Sequence, residues 1–169
     1  KNHGKNTYHF YDNEIAYGNE NEMRKENLNH IRSMLSEHGP LKGSYCVEYE
    51  GFKNIARFIR RGQQRNKRHI VYILFTIEDT RNGINGADER YEALGMLEDS
   101  VRISLRVGDV ATRYSGSQIV AILVDAKESD ACMVAGRILG EFHSHTGMEQ
   151  VRVEYDIQAL EEDEPEENH

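Results

Sequence analysis

A chain of 169 residues with 38% apolar and 30% charged side chains is long enough to bury one domain core and carry extensions. Its net charge of −8 is concentrated, because residues 161–167 hold six acids around Pro165 and leave −2 on the remainder. A body so near neutrality excludes a general nucleic-acid binder, which needs a basic face, and no apolar run reaches the roughly 18–20 residues that span a membrane.

The N-terminal stretch 1–12 alternates Tyr8 and Phe10 and reads as a short strand. Asn19 to His38 reads as a helix. Leu28, Ile31 and Leu35 fall at i, i+3 and i+7, and Gly39-Pro40 stops it. Gly43 to Val47 suits a short strand. Phe52, Ile55, Ala56 and Ile59 then mark a helix face that runs to about Arg65. Arg57, Arg60, Arg61, Arg65, Lys67 and Arg68 lie on its other side and end. They could receive an anion, but cations on a solvated face near a helix C-terminus account for them without a ligand.

His69 to Ile77 is the strongest strand, apolar nearly throughout, and is expected to be central and covered on both faces. A polar loop, Glu78 to Gly86, follows. Ala87 to Val107 reads as a helix with Tyr91, Leu94, Leu97, Val101 and Leu105 inward. Val110 to Tyr114 and Ile119 to Val124 read as two strands joined at Ser115-Gly116-Ser117, where Gly can supply a positive φ. Ser129 to Phe142 is a further helix with Ala131, Val134, Ala135, Ile138 and Phe142 inward. Val151 to Ile157 is the last strand, and 159–169 is expected to be an acidic, disordered tail.

The order is β-α-β-α-β-β-α-β. Without the first strand and its helix it is β-α-β-β-α-β, a ferredoxin-like α+β arrangement with a mainly antiparallel central sheet flanked by helices. Cys46 and Cys132 offer neither zinc spacing nor a disulfide framework. Both are expected to be buried and reduced, which favours a cytoplasmic protein. His143 and His145 do not share a helix face and read as surface residues.

Arg106 and Asp109, five residues ending in Arg113-Tyr114, then Ser115-Gly116-Ser117-Gln118-Ile119, resemble the signature hairpin of the GGDEF family. These are the diguanylate cyclase domains, and their pattern is R-x-x-D, five residues, then G-G-[DE]-E-F. Gly116 is the one signature letter kept. The resemblance spans about residues 43–158 and includes the nucleotide-cyclase palm arrangement of elements. It identifies the chain as a degenerate member. Residues 1–18 resemble the end of an upstream domain of the same kind, the alternative being a floppy N-terminal extension that happens to contain tyrosines; 19–40 reads as a linker helix and 41–158 as the degenerate domain. The chain is then a piece of a larger bacterial regulatory protein.

The resemblance implies chemistry that this sequence lacks. Joining two GTP molecules needs Mg²⁺ on hard carboxylate oxygens. The strand acid of the family falls on Thr76 and the hairpin acid on Ser117, with Gln118 in place of the next. Glu78 and Asp79 could offer substitute ligands, though acids opening a loop are ordinarily just solvated. The GTP-contacting loop of the family is shortened to residues such as Asn82 and Asn85, and no D-x-L-T-G-L stretch precedes Phe52. The domain is therefore expected to be catalytically silent, with no metal and no cofactor. Arg106 and Asp109 match the family's product site, so cyclic di-GMP is a candidate ligand: arginine binds guanine or phosphate through its planar fork, and a carboxylate accepts from the guanine edge. The competing reading is a dimerisation or docking module, a homodimer or the partner of an attached domain, with Arg106 and Asp109 merely ending a helix and starting a hairpin.

Overall fold

Apolar residues at period two and period 3.6 alternate along the chain, and a computed structural model, which describes residues 14–36, 42–78 and 86–160, places strands and helices accordingly. Residues 1–41 and 42–169 form two separate units. The readings for residues 1–12, Gly39-Pro40, Asp79, Asn82, Asn85 and the acidic tail lie outside the described residues.

In the first unit, helix α1 runs Glu14–Leu35. It starts five residues before the expected Asn19, because Glu14, Ile15 and Ala16 tolerate a helix and Gly18 weakens one without ending it. All described side chains from 21 to 36 are exposed, including Leu28, Ile31, Met34 and Leu35. The apolar stripe is thus real and uncovered within its unit.

The second unit follows the order β1 (Tyr45–Cys46), α2 (Tyr49–Asn66), β2 (Ile70–Ile77), α3 (Ala87–Ser104), β3 (Val110–Ser115), β4 (Gln118–Val124), α4 (Glu128–Ser144) and β5 (Val153–Ala159). The sheet order is β1-β3-β4-β2-β5. β4 is antiparallel to both β2 and β3, β5 is antiparallel to β2, and β1 adds a short parallel pairing to β3. Each of α3 and α4 connects two parallel strands with one strand between them, the split β-α-β of a ferredoxin-like α+β fold.

Strand alternation sends Val71, Ile73, Phe75 and Ile77 of β2, and Ile119, Ala121 and Leu123 of β4, to one face. There they meet Leu94, Leu97 and Val101 of α3 and Ala131, Ala135, Ile138 and Phe142 of α4. The alternate positions, Tyr72, Val120, Ile122 and Val124, face Phe52, Ile55, Ala56 and Ile59 of α2. This second face has one described helix, and Tyr72, Leu74 and Thr76 are only half-buried. β2 is central as expected, but it is not fully covered on both faces.

Other differences have local causes. β5 pairs with β2 from Ile77↔Val153 to Val71↔Ala159, so residue 159 belongs to the sheet and not to the tail. Cys132 is exposed, one residue and roughly 100° around the helix from buried Ala131. Cys46 is half-buried, and desolvation pushes its thiol up against an opposing contact with the Ser44 hydroxyl. Tyr91 is 69% exposed and lies under the Arg113 guanidinium instead of in the core. His143 is half-buried, and its ring nitrogen bonds the Val151 carbonyl at 2.9 Å. Gly43 has φ +70°, and a Cβ there would fall 2.0 Å from the Arg102 carbonyl oxygen. Only glycine lets β1 approach the end of α3 so closely.

Candidate functional site

Two places at opposite ends of β3 carry the sequence-derived site residues: the turn from α3 into β3, and the tip of the β3–β4 hairpin.

At the turn, Asp109 is 5% exposed. Its Oδ2 accepts from the Arg106 backbone N–H at 3.0 Å and its Oδ1 from the Val124 backbone N–H at 3.2 Å. The Asp109 N–H donates to the Arg106 carbonyl at 3.0 Å, and the Asp109 carbonyl accepts from the Tyr45 N–H at 3.0 Å. One residue therefore ties the end of α3, the end of β4 and strand β1 together. Desolvation pushes its carboxyl above the usual carboxylate range, opposed by the backbone bonds from Arg106 and Val124 and by the Arg106 and Arg137 charges. Arg106 itself is exposed, and its guanidinium makes no hydrogen bond or ion pair among the described residues. Arg137 of α4, which sequence reasoning passed over, stands close enough for its charge to act on Asp109, and it donates to the Ser104 carbonyl at 2.6 Å.

At the tip, Ser115 pairs with Gln118 across Gly116-Ser117, and the register shifts between Arg113 and Ser115. Gly116 is not at positive φ, contrary to expectation, and a Cβ on it would meet nothing within 4 Å. A hydroxyl closes the turn instead: the Ser117 N–H donates to Ser115 Oγ at 3.3 Å, and Ser115 Oγ donates to Gln118 Oε1 at 3.2 Å. The other end of the same amide, Gln118 Nε2, donates to Thr76 Oγ1 at 3.1 Å. Thr76 and Gln118 are direct partners in the β2–β4 register. Ile119, the next signature position, is 1% exposed and part of the core.

The hairpin is held from both sides. Arg113 donates through Nε to Glu98 of α3 at 2.8 Å, and Tyr114 meets Tyr49 of α2 edge-on with centroids 5.8 Å apart. The hydrogen bond to Glu98 is the main reason that Arg113 holds its proton more tightly than usual.

The groups at this tip do not fit a divalent cation of the kind the resemblance implies. Thr76, Ser117 and Gln118 are neutral, and the Gln118 amide already bridges Ser115 and Thr76. Glu78 sits at the end of β2, but it accepts from Arg152 Nε at 2.9 Å. Among the described residues no three His, Cys, Asp or Glu side chains gather as metal ligands do.

No family model and no curated protein matches the sequence. Solved structures do match the fold. A DGC protein from Thermotoga maritima gives a TM-score of 0.58 at 15% identity, over 74% of this chain and 88% of that one. Diguanylate cyclase SiaD from Pseudomonas aeruginosa, in complex with its activator SiaC, gives 0.63 at 16% identity, over 89% of this chain and 60% of that one. The GGDEF domain of DgcB from Caulobacter crescentus, in complex with c-di-GMP, gives 0.59 at 11% identity, over 76% and 82%. At such identities the likeness concerns the fold: this chain has the GGDEF, nucleotide-cyclase palm fold. No described helix is long and apolar enough to cross a membrane.

Proposed function

We propose that this chain is a catalytically silent domain of GGDEF fold that regulates through association with protein. The observation that carries the first half is the Gln118–Thr76 hydrogen bond. It joins Thr76, where the resemblance puts the strand's metal-binding acid, to Gln118, which stands in place of the acid after the hairpin position Ser117, and all three side chains are neutral. A neutral amide and hydroxyl are poor ligands for the Mg²⁺ that would offset the charge of two triphosphates, so the chemistry lacks its electrostatic support there. The second half is supported by the exposed Leu28, Ile31 and Leu35 stripe of α1, whose spacing suits pairing with a like helix. A neighbour of the same fold, SiaD, is described in complex with an activator protein.

Incubation with GTP and Mg²⁺ should yield no cyclic di-GMP; turnover by the purified chain overturns the silent reading. Sedimentation should show a concentration-dependent dimer that Ile31→Asp shifts at least about tenfold toward monomer. A monomer at all concentrations removes α1 as the associating element.

A second reading is favoured by one feature, the exposed Arg106 with Arg137 near the same turn. Two guanidinium groups there suit a phosphate-bearing ligand, and cyclic di-GMP is the candidate. Asp109 is turned inward and spent on backbone N–H groups, so recognition would rest on the arginines. Calorimetric titration with cyclic di-GMP decides: micromolar binding lost in Arg106→Ala establishes a receptor, and silence leaves association alone.

A further inference from the structure

The half-covered face of the sheet leaves a trough beside α2. Two adjoining cavities of about 300 and 440 Å³ share Phe52, Ala56, Arg57, Tyr72 and Val120 as lining, so they form one continuous channel. Its floor is apolar: Tyr72, Leu74, Val120 and Ile122. One wall is cationic, because Lys53, Arg57 and Arg60 recur at i, i+4 and i+7 along the same flank of α2. Lys53 is paired with Glu50 at 2.7 Å, whereas Arg57 and Arg61 make no hydrogen bond or ion pair among the described residues.

Leu160 lies at the mouth of this trough. Its N–H donates to the Ile70 carbonyl at 2.8 Å, and its carbonyl accepts from Nε2 of Gln63, a buried residue of α2, at 2.8 Å. The chain is thus fixed against α2 at the residue before the acids begin. The next seven positions, Glu161 to Glu167, carry six carboxylates. Arg57, Arg60, Arg61, Arg65 and Lys67 are five cations on and just beyond α2, and the next, Arg68, is already paired with Asp125 at 3.7 Å.

We propose that the trough and the cationic flank of α2 are the docking surface for this chain's own acidic segment, residues 161–167. Distance permits it: from Gln63 back to Arg57 is about 9 Å along a helix, which about three extended residues cover. Tethering at Leu160 holds the acids at an effective concentration on the order of millimolar beside the arginines, so individually weak exposed pairs add up. The occupied trough is then open only to a partner that displaces the segment. This holds whether or not α1 pairs with another copy.

The test uses the full chain and a variant with all six acids changed to amides: Glu161→Gln, Glu162→Gln, Asp163→Asn, Glu164→Gln, Glu166→Gln and Glu167→Gln. Amide NMR shifts of residues 53–61, Tyr72 and Val120 should differ between the two at about 50 mM salt and converge at about 1 M, where the screening length falls to about 3 Å. The amides of α3 and α4 should coincide throughout, which certifies the fold. Coincident spectra along α2 at low salt overturn the proposal. A difference that grows with protein concentration also overturns it, by making a second copy the occupant. A synthetic peptide of residues 160–167 should bind the amide variant at least about tenfold more tightly than the native chain, whose trough is already filled. Equal affinity for both overturns it. Arg57→Glu in the amide variant should abolish peptide binding; retained affinity places the peptide elsewhere and overturns the assignment.

Discussion

The two faces of the sheet are written by the same strands, yet among the described residues one is closed and the other is not. Val71, Ile73 and Phe75 are 2%, 0% and 0% exposed under α3 and α4, whereas their neighbours Tyr72, Leu74 and Thr76 are half-buried beside α2. Both sets are apolar enough for a core, Thr76 apart. The difference lies in how many of the described helices dock on each side. A strand's alternation fixes which residues share a face, but the number of covering elements sets how dry that face becomes.

The sharpest test of this contrast is Phe75→Ala on the closed face. It should cost about 3–5 kcal/mol, because neither packed helix can collapse into the space. Urea denaturation measures it, and a loss below about 1.5 kcal/mol would mean that the closed face is loosely packed.

Asp109→Ala should cost about 2–3 kcal/mol, since it strands two backbone donors, Arg106 N–H and Val124 N–H, at the end of the strand that serves both faces. Its titration gives a second readout. The folded carboxyl titrates above its ordinary range, so the native state holds the proton more tightly than the unfolded chain does. The stability this contributes is complete below the unfolded value, about pH 4, and is lost as pH rises through the folded value. Asp109→Asn should therefore flatten the pH dependence of the melting midpoint just above pH 4, and an unchanged profile would remove Asp109 as its source.

On the open face, Leu74→Ala should cost only about 1 kcal/mol, because part of the side chain is wet already. A penalty equal to that of Phe75→Ala would show Leu74 to be packed as tightly as the closed face. Gly116→Ala at the hairpin tip, outside both faces, should change stability by no more than about 0.5 kcal/mol, since neither φ nor space demands glycine there. A larger loss would mean that the turn relies on the glycine after all.

Much of the fold was legible because it rests on local periodicity. Leu94, Leu97, Val101 and Leu105 are helix-spaced and buried, and Ile119 to Val124 is a compact apolar run that became a central strand. The ends were less legible, because partners set them: β5 ends opposite the start of β2, at Val71↔Ala159. The candidate site was legible as a place and not as an arrangement. Arg106 and Asp109 are three residues apart, and the spacing reads the same whether the carboxylate faces solvent or turns in to Val124, fifteen residues away. Nothing local marks Arg137 as a neighbour of that turn, since it comes from another helix.

The sequence by itself determined the inward stripes of α3 and α4, Tyr91 and Cys132 apart, that Thr76 and Ser117 carry no carboxylate, and that a strongly acidic stretch follows Leu160. These are properties of side-chain chemistry and short-range spacing. Only the tertiary structure decided that Thr76 and Gln118 meet, that Asp109 spends both oxygens on backbone N–H groups, and that one sheet face has a single described helix on it, with a cationic flank. Those outcomes depend on register and on which elements dock together, and contacts far apart in the chain set both.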